Sequence, residues 1–247
     1  MDIKTLLISQ PAPQGDKSPY FDLAEKHELK VDFRQFIAVE GILLSEYRTQ
    51  KVNILEHTAV LITSKTAIDN YFRLADEMRI AIPASMKFFC LTESLAYYLQ
   101  KYITFRKRKI FYGEGNIDML MPLIKKHKNE KFLVPVAKVH KPTIPNKLKK
   151  NKIHFTKAVM FKTVSADLSD LKDVKYDILA FFSPAGISSL LDNFPKFTQN
   201  GTKIACFGQS TAKAIKAAGF RIDIKAPSKE TPSMSMAIDR FLAENNK

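Results

Sequence analysis

The stretch Val60-Leu61-Ile62-Thr63-Ser64-Lys65-Thr66-Ala67-Ile68 returns 119 residues later as Leu179-Ala180-Phe181-Phe182-Ser183-Pro184-Ala185-Gly186-Ile187. Each copy reads as a buried strand, a polar turn and the start of an amphipathic helix. A second pair follows in the same order: Lys87-Phe88-Phe89-Cys90-Leu91-Thr92-Glu93-Ser94-Leu95-Ala96 and, 116 residues on, Lys203-Ile204-Ala205-Cys206-Phe207-Gly208-Gln209-Ser210-Thr211-Ala212. All α/β chains repeat strand and helix, so one short match means little. Two matches at nearly constant spacing point to a duplicated unit and to two similar lobes. A cleft between such lobes is the default place for a ligand.

Outward from these repeats, the chain keeps alternating short apolar runs with helical patterns. Thr5 to Ser9 reads as a strand, and Ser18-Pro19 opens a helix with an N-cap and Pro at its first position, running to about Leu29. Val31 to Val39 alternates as a strand, and so does His154 to Val164. If these two segments pair, the chain leaves an outer lobe once and returns once. The expected division is therefore residues 1–36 with 165–247 as a discontinuous outer lobe, 40–157 as an inserted lobe, and 37–39 with 158–164 as connector strands forming a hinge. Within the lobes, strands are expected at Ala59–Thr63, Lys87–Leu91, Lys109–Tyr112, Lys131–Val136, Ile178–Phe182, Lys203–Phe207 and Arg221–Ile224. The last three should lead into helices from about Ala185, Gln209 and Pro232. Regular βα alternation favours open parallel sheets with helices on both faces, a flavodoxin-like arrangement that binds ligands beyond the carboxyl ends of its strands.

With 247 residues, 45% of them hydrophobic, the chain can build two modest cores. No stretch approaches the roughly 20 apolar residues of a membrane span, and the apolar run within residues 1–10 is too short for a secretory signal, so a cytoplasmic location is expected. Cys90 and Cys206 occupy matching apolar strands and read as reduced core residues, one per lobe. The net charge of +14 is unevenly spread: Lys101 to Lys157 holds 16 Lys and Arg against Glu114, Asp118 and Glu130. Such a cluster attracts polyanions, whether phosphodiesters, anionic lipid or a small polycarboxylate. Any single lysine in it is most simply a solvated helix face.

The five histidines, at 27, 57, 127, 140 and 154, show no metal-ligand spacing, and the two cysteines add none. Gly113-Glu114-Gly115 does not continue into a dinucleotide fingerprint, and no phosphate-binding Gly-Lys-Ser/Thr loop exists. What remains are hydroxyl-rich turns at predicted helix starts: Thr63-Ser64, Ser183-Pro184, Gly208 through Thr211, and Thr231-Pro232. Free backbone N–H groups at such ends bind carboxylates or phosphates. Ordinary N-capping explains any one of them equally well.

These residues also carry a resemblance. Ile178 through Gly186, Ile204 through Ala214 with Gly219, and Ala226-Pro227 through Thr231-Pro232 resemble the uroporphyrinogen-III synthase family in order and spacing. The likeness extends to Val60 through Ala67, to Pro135, Lys141 and Pro145, and to the lobe-insertion-lobe layout. It implies a cofactor-free lyase that closes hydroxymethylbilane, a linear tetrapyrrole with eight carboxylates, inverting ring D and losing water. The same substrate closes spontaneously to the type I isomer, so the implied task is mainly to hold the conformation in which a spiro intermediate forms.

Carried over residue by residue, the resemblance implies substrate contacts at Gln10, Thr63, Ser64, Ser183, Pro184, Gly208, Ser210, Thr211 and Thr231, with Lys65, Lys138 and Lys141 adding charge. Three departures stand out. Ser9-Gln10-Pro11 replaces a Thr-Arg-Pro pattern, removing a cation. Phe161 stands where the family often has a tyrosine proposed to help the hydroxyl depart, which leaves the general acid unassigned. Leu91-Thr92 replaces a turn that often holds glycine. The implied partner is the tetrapyrrole alone, with a monomeric chain, no membrane, no nucleic acid, and a transient contact with the preceding enzyme of the pathway as an option. Two rivals remain at this point: a nucleic-acid-binding protein using Arg106-Lys107-Arg108-Lys109, and a non-catalytic binder of small anions.

Overall fold

In a computed structural model describing residues 3–104, 106–171 and 174–245, both copies of both repeated stretches are strands that lead into helices. The chain begins β1 (Thr5–Ile8), α1 (Pro19–His27), β2 (Lys30–Phe33), β3 (Ile37–Gly41), α2 (Leu44–Thr49), β4 (Ala59–Ile62) and α3 (Lys65–Glu77). It continues β5 (Lys87–Cys90), α4 (Glu93–Tyr98), β6 (Ile110–Tyr112), α5 (Ile117–Lys126), β7 (Phe132–Ala137), α6 (Thr143–Lys150) and β8 (Phe155–Ser165). It ends β9 (Ile178–Phe181), α7 (Pro184–Asn193), β10 (Lys203–Phe207), α8 (Gln209–Ala217), β11 (Ile224–Ala226) and α9 (Met234–Asn245). Two compact units result, Met1–Ala38 with Val164–Lys247, and Val39–Thr163.

The outer lobe holds a five-stranded sheet in the order β11-β10-β9-β1-β2, every pair parallel. Its central strands are apolar throughout because both faces are covered. Alternate residues of β1 go to opposite sides: Leu6 and Ile8 pack with Leu23 of α1 and Ile238 of α9, whereas Leu7 packs with Ile187 of α7 and Ile215 of α8.

The inserted lobe holds a six-stranded sheet in the order β3-β8-β7-β4-β5-β6. Val60, Ile62 and Phe88 face α2, α3 and α4 through Tyr47, Ile68, Tyr71, Leu74 and Leu95. Leu61, Phe89, Phe132 and Val134 face α5 and α6 through Leu120, Ile124 and Leu148. The α3 stripe at Ala67, Ile68, Tyr71, Leu74 and Ala75 has the spacing of one helix face.

The order β2-β1-β9-β10-β11 is the 2-1-3-4-5 sequence of flavodoxin-like sheets. The inserted lobe, apart from β3, runs β8-β7-β4-β5-β6, the same arrangement circularly permuted. The repeat seen in sequence pairs β4 with β9 and β5 with β10, and these occupy equivalent sheet positions.

Four expectations shift. Val31–Val39 is two strands, because Phe36 breaks the ladder: its side chain is buried and its carbonyl accepts from Ala166 N–H at 2.9 Å and from the Ser189 hydroxyl. The segment 158–164 is not a separate connector but part of β8, which runs parallel to β7 and antiparallel to β3, as the bonds Ile42 N–H to Met160 O and Ala166 N–H to Phe36 O require. The last strand begins at Ile224 rather than Arg221, since the Gln199 side chain takes both the N–H and the C=O of Arg221. The final helix begins at Met234 rather than Pro232, with the Ser233 hydroxyl accepting from Met236 N–H. No helix among the described residues is long and apolar enough to cross a membrane.

Candidate functional site

In an open α/β sheet the ligand-binding crevice forms where the strand order reverses, at the carboxyl ends of the two strands concerned. Each lobe has one such point. In the outer lobe it lies between β1 and β9, so the loops after them, Ser9-Gln10-Pro11 and Ser183-Pro184, are neighbours. A side chain added at Gly186 would press on the Phe181 ring at 3.3 Å, with the Ser9 and Ser183 hydroxyls in ordinary contact beyond, so the start of α7 packs closely against both loops. Ser183 caps α7 by accepting from Gly186 N–H at 3.3 Å, and Pro184 at the first helical position has no N–H to satisfy.

One strand along, the turn from β10 into α8 is built differently. Gly208 sits at φ +84°, ψ 157°, a conformation suited to glycine, and α8 has no side-chain cap. Its own N–H donates to Ala226 O at 2.7 Å. The N–H groups of Gln209, Ser210 and Thr211 lie in the first helical turn, where no intrahelical acceptor exists. They form a small positive pole suited to a carboxylate.

In the inserted lobe the order reverses between β4 and β7, and a cavity of about 490 Å³ opens there. Thr63, Leu91, Ala137, His140, Lys141 and Phe161 are among its lining residues. Apolar groups dominate its wall, with Thr63 and Lys141 supplying polar ends. His140 Nδ1 lies 2.8 Å from the Ala137 carbonyl oxygen, and Ala137 is the ladder partner of Phe161 across a bulge in β7–β8.

The expected contacts are therefore distributed as follows. Thr63, Lys141 and Phe161 share the inserted-lobe cavity. Ser64 is the N-cap of α3, accepting from Ala67 N–H at 3.1 Å, and Lys65 lies over the Tyr98 ring at 5.2 Å. Lys138 is exposed and pairs with Glu46 at 3.3 Å. Gln10, Pro184 and Ser210 are exposed at the carboxyl end of the outer lobe. Two hydroxyls do not project outward. Thr211 is completely buried and its Oγ1 has no hydrogen-bond partner, so only its backbone N–H is presented. Thr231 is buried in a closed loop with Ser228, each bonding the other through backbone and hydroxyl groups, and caps no helix.

The basic excess sits elsewhere. Arg106 to Lys109 precede β6, Lys125 and Lys126 end α5, and Lys149 and Lys150 end α6, all at the amino end of the inserted sheet. Cations there complement the negative poles of helix C-termini. Hence most of the cluster's charge is directed away from the cavity, which Lys141 and Lys147 alone of its lysines line, Lys147 being paired with Asp118.

The outer lobe's larger cavity, about 830 Å³, also lies at an amino end, beside Ile3, Asp177 and Lys203. Its carboxylate is internally engaged: Asp177 accepts from the N–H groups of Lys4 and Thr5 and from the Thr5 hydroxyl. Cys90 and Cys206 are free and buried, and burial pushes the Cys90 thiol up to about 12, far from reactivity. No group of three or more metal-binding side chains occurs among the described residues.

His140 belongs to no metal-ligand spacing, so nothing in the sequence around it marks it. Its position three residues from the strand partner of Phe161 is visible only once the β7–β8 register is known.

With this geometry in place, comparison with known proteins is informative. A uroporphyrinogen-III synthetase structure from Helicobacter pylori covers 98% of this chain and 100% of its own, at 17% identity and a TM-score of 0.56, and so shares the fold. A mutant uroporphyrinogen III synthase from Thermus thermophilus covers 98% and 100%, at 16% identity and a TM-score of 0.48. No curated protein matches significantly. The family model of uroporphyrinogen-III synthase HemD matches residues 23–235, most of the chain, including the turns after β4, β7, β9 and β10 but not β1 and its Ser9-Gln10-Pro11 loop, and the chain belongs to that family.

Proposed function

We propose that this chain acts as a hydro-lyase on hydroxymethylbilane, closing it to uroporphyrinogen III with inversion of ring D and release of water. The observation that carries the proposal is the family match over residues 23–235, which includes the turns at the carboxyl ends of β4, β9 and β10 in both lobes.

The reaction is redox-neutral: a C–O bond breaks, a C–C bond forms, and water leaves. Loss of the hydroxyl gives an azafulvene, attack at the substituted carbon of ring D gives a spiro intermediate, and fragmentation with reclosure gives the type III ring. Since the uncatalysed route gives type I, the protein's contribution is to fix the chain's shape. The uncapped first turn of α8 and the starts of α3 and α7 are assigned to substrate carboxylates, with Lys65, Lys138 and Lys141 adding charge. The apolar wall of Leu91, Pro135 and Phe161 suits pyrrole rings and excludes water from the cationic intermediate.

A phosphodiester-binding reading of Arg106 to Lys109 has no support in the family match. The decisive experiment generates hydroxymethylbilane beside the purified protein, oxidises the products and separates the uroporphyrin isomers. A dominant type III fraction without added cofactor is expected. Type I alone from folded protein would overturn the proposal.

A further inference from the structure

The inserted-lobe cavity contains a group that the carboxylate-binding scheme leaves unused. His140 Nδ1 is 2.8 Å from the Ala137 carbonyl oxygen. A carbonyl can only accept, so Nδ1 carries a proton and the neutral ring must have its lone pair on Nε2. Nε2 has no hydrogen-bond partner among the described residues. The carbonyl that anchors the ring belongs to the residue directly opposite Phe161 in the β7–β8 ladder, and both His140 and Phe161 line the cavity.

The other candidate donors there are poorly suited. Phe161 has no exchangeable proton, and the Thr63 and Thr143 hydroxyls are far too weakly acidic. The Asn116 side-chain oxygen is occupied in capping α5, accepting from Asp118 and Met119 N–H groups. Lys147 is paired with Asp118. Lys141 could donate, but an ammonium is a much weaker acid than an imidazolium and so a poorer proton donor to a leaving hydroxyl.

We propose that His140 is the proton donor for hydroxyl departure, an inference that rests on the cyclisation reading above. The imidazolium Nε2–H gives its proton to the hydroxyl as the C–O bond breaks. Water leaves, and the pyrrole nitrogen lone pair completes the azafulvenium. After ring closure the proton lost from the newly bonded pyrrole carbon returns to Nε2, so the histidine ends as it began.

The test pairs a variant that keeps the anchor with one that empties the site. H140N can still donate to the Ala137 carbonyl through its amide but has no titratable nitrogen; H140A leaves room for added imidazole. Charged groups on the bordering elements are Lys141, Lys138 with Glu46, Lys147 with Asp118, Glu114 ahead of α5 and Lys162 on β8, and none of them changes in either variant. The type III rate of the unaltered protein should decline on the alkaline side of its pH profile. H140N should lose about 100-fold in kcat near neutrality, keep its KM within a few fold and lose that decline. Imidazole should restore much of the H140A rate. An H140N rate within twofold of the parent, or a slow H140A that imidazole leaves unchanged, would overturn the assignment while type III formation by the parent upheld the cyclisation reading. A parent protein forming no type III would overturn both.

Discussion

The turn after the second strand of the repeated unit occurs twice in this molecule and is built in opposite ways. In the inserted lobe Cys90 is followed by Leu91 and Thr92; in the outer lobe Cys206 is followed by Phe207 and Gly208. Thr92 takes an ordinary extended backbone, φ −133°, and its hydroxyl accepts from Leu95 N–H at 3.3 Å, closing the start of α4 on itself. Gly208, at φ +84°, offers no side chain, and the start of α8 stays open. Glycine is a tolerated N-cap, so leaving α8 without a side-chain cap costs only a few tenths of a kcal/mol relative to threonine. The substrate-carboxylate contact proposed for α8 would use the N–H groups that this turn leaves open. The inserted lobe, whose turn is closed, has the apolar cavity and His140 instead.

The harshest way to break this contrast is to exchange the two solutions. Gly208→Thr forces a β-branched residue into a region that side chains avoid, although nothing lies within 4 Å of the added Cβ. The penalty is therefore backbone strain alone, about 1–3 kcal/mol in a urea melt. Its hydroxyl would also cover the α8 N–H groups. Type III formation should fall by at least tenfold, through kcat/KM, which an isomer-resolved assay would read. Unchanged turnover would show that α8 holds no carboxylate.

At the opposite ends of the same strands the lobes differ again. Lys87, opening β5, donates to Glu130 at 2.5 Å; the matching Lys203, opening β10, borders the outer-lobe cavity. Burial raises the Glu130 carboxyl, but bonds from Lys87 and Thr58 outweigh it and hold the group below its ordinary value. A carboxylate so depressed stabilises the fold fully above the unfolded value of about 4.3 and loses that contribution as pH falls through its folded value. Glu130→Gln should cost about 1–2 kcal/mol at pH 7. The difference from the parent should shrink below about pH 4 in denaturant melts, because both proteins then carry a neutral group there. A difference that persisted in acid would mean that packing, not charge, is what Glu130 supplies.

These comparisons also show what the sequence could reveal. The strand-turn-helix repeats were legible because parallel strands buried on both faces read as unbroken apolar runs and their caps as Ser or Thr. The correspondence of β4 with β9 followed from matching residues at a nearly constant spacing. The permutation of one sheet relative to the other did not, because strand order depends on which neighbours pair, and no residue type encodes that. Phe36 looked like one more inward residue of an alternating strand; only the hydrogen bonds to its carbonyl reveal the break. Thr211 and Thr231 looked like outward hydroxyls for the same reason that Ser64 did, since residue type does not tell which face of a turn is covered. His140 stayed invisible because its significance comes from β7–β8 register.

Where the lobes agree, substitutions should agree too. Ser64 and Ser183 cap α3 and α7 with the same geometry, accepting from the third N–H beyond them at 3.1 and 3.3 Å. Ser64→Ala and Ser183→Ala should each cost about 1 kcal/mol. If the hydroxyls serve only as caps, the type III fraction should be unaltered. A loss of isomer selectivity in one variant alone would show which lobe's turn also touches substrate, and would sharpen the contrast drawn from Thr92 and Gly208.

The mildest change is the reverse exchange, Thr92→Gly. Glycine is itself an acceptable N-cap, so replacing threonine should cost only a few tenths of a kcal/mol, near the limit of a paired thermal melt. The turn has no need of positive φ, and Leu91 would keep its place in the cavity wall. Activity should therefore hardly move, even though the α4 N–H groups become available to an anion. A rise in affinity for a tetrapyrrole product, with the melt unchanged, would mean that the start of α4 lacks a carboxylate contact only because Thr92 occupies it. No rise would mean that α4, a six-residue helix, is too short to hold an anion once uncapped, and that the open turn of α8 owes its use to the longer helix behind it as much as to Gly208.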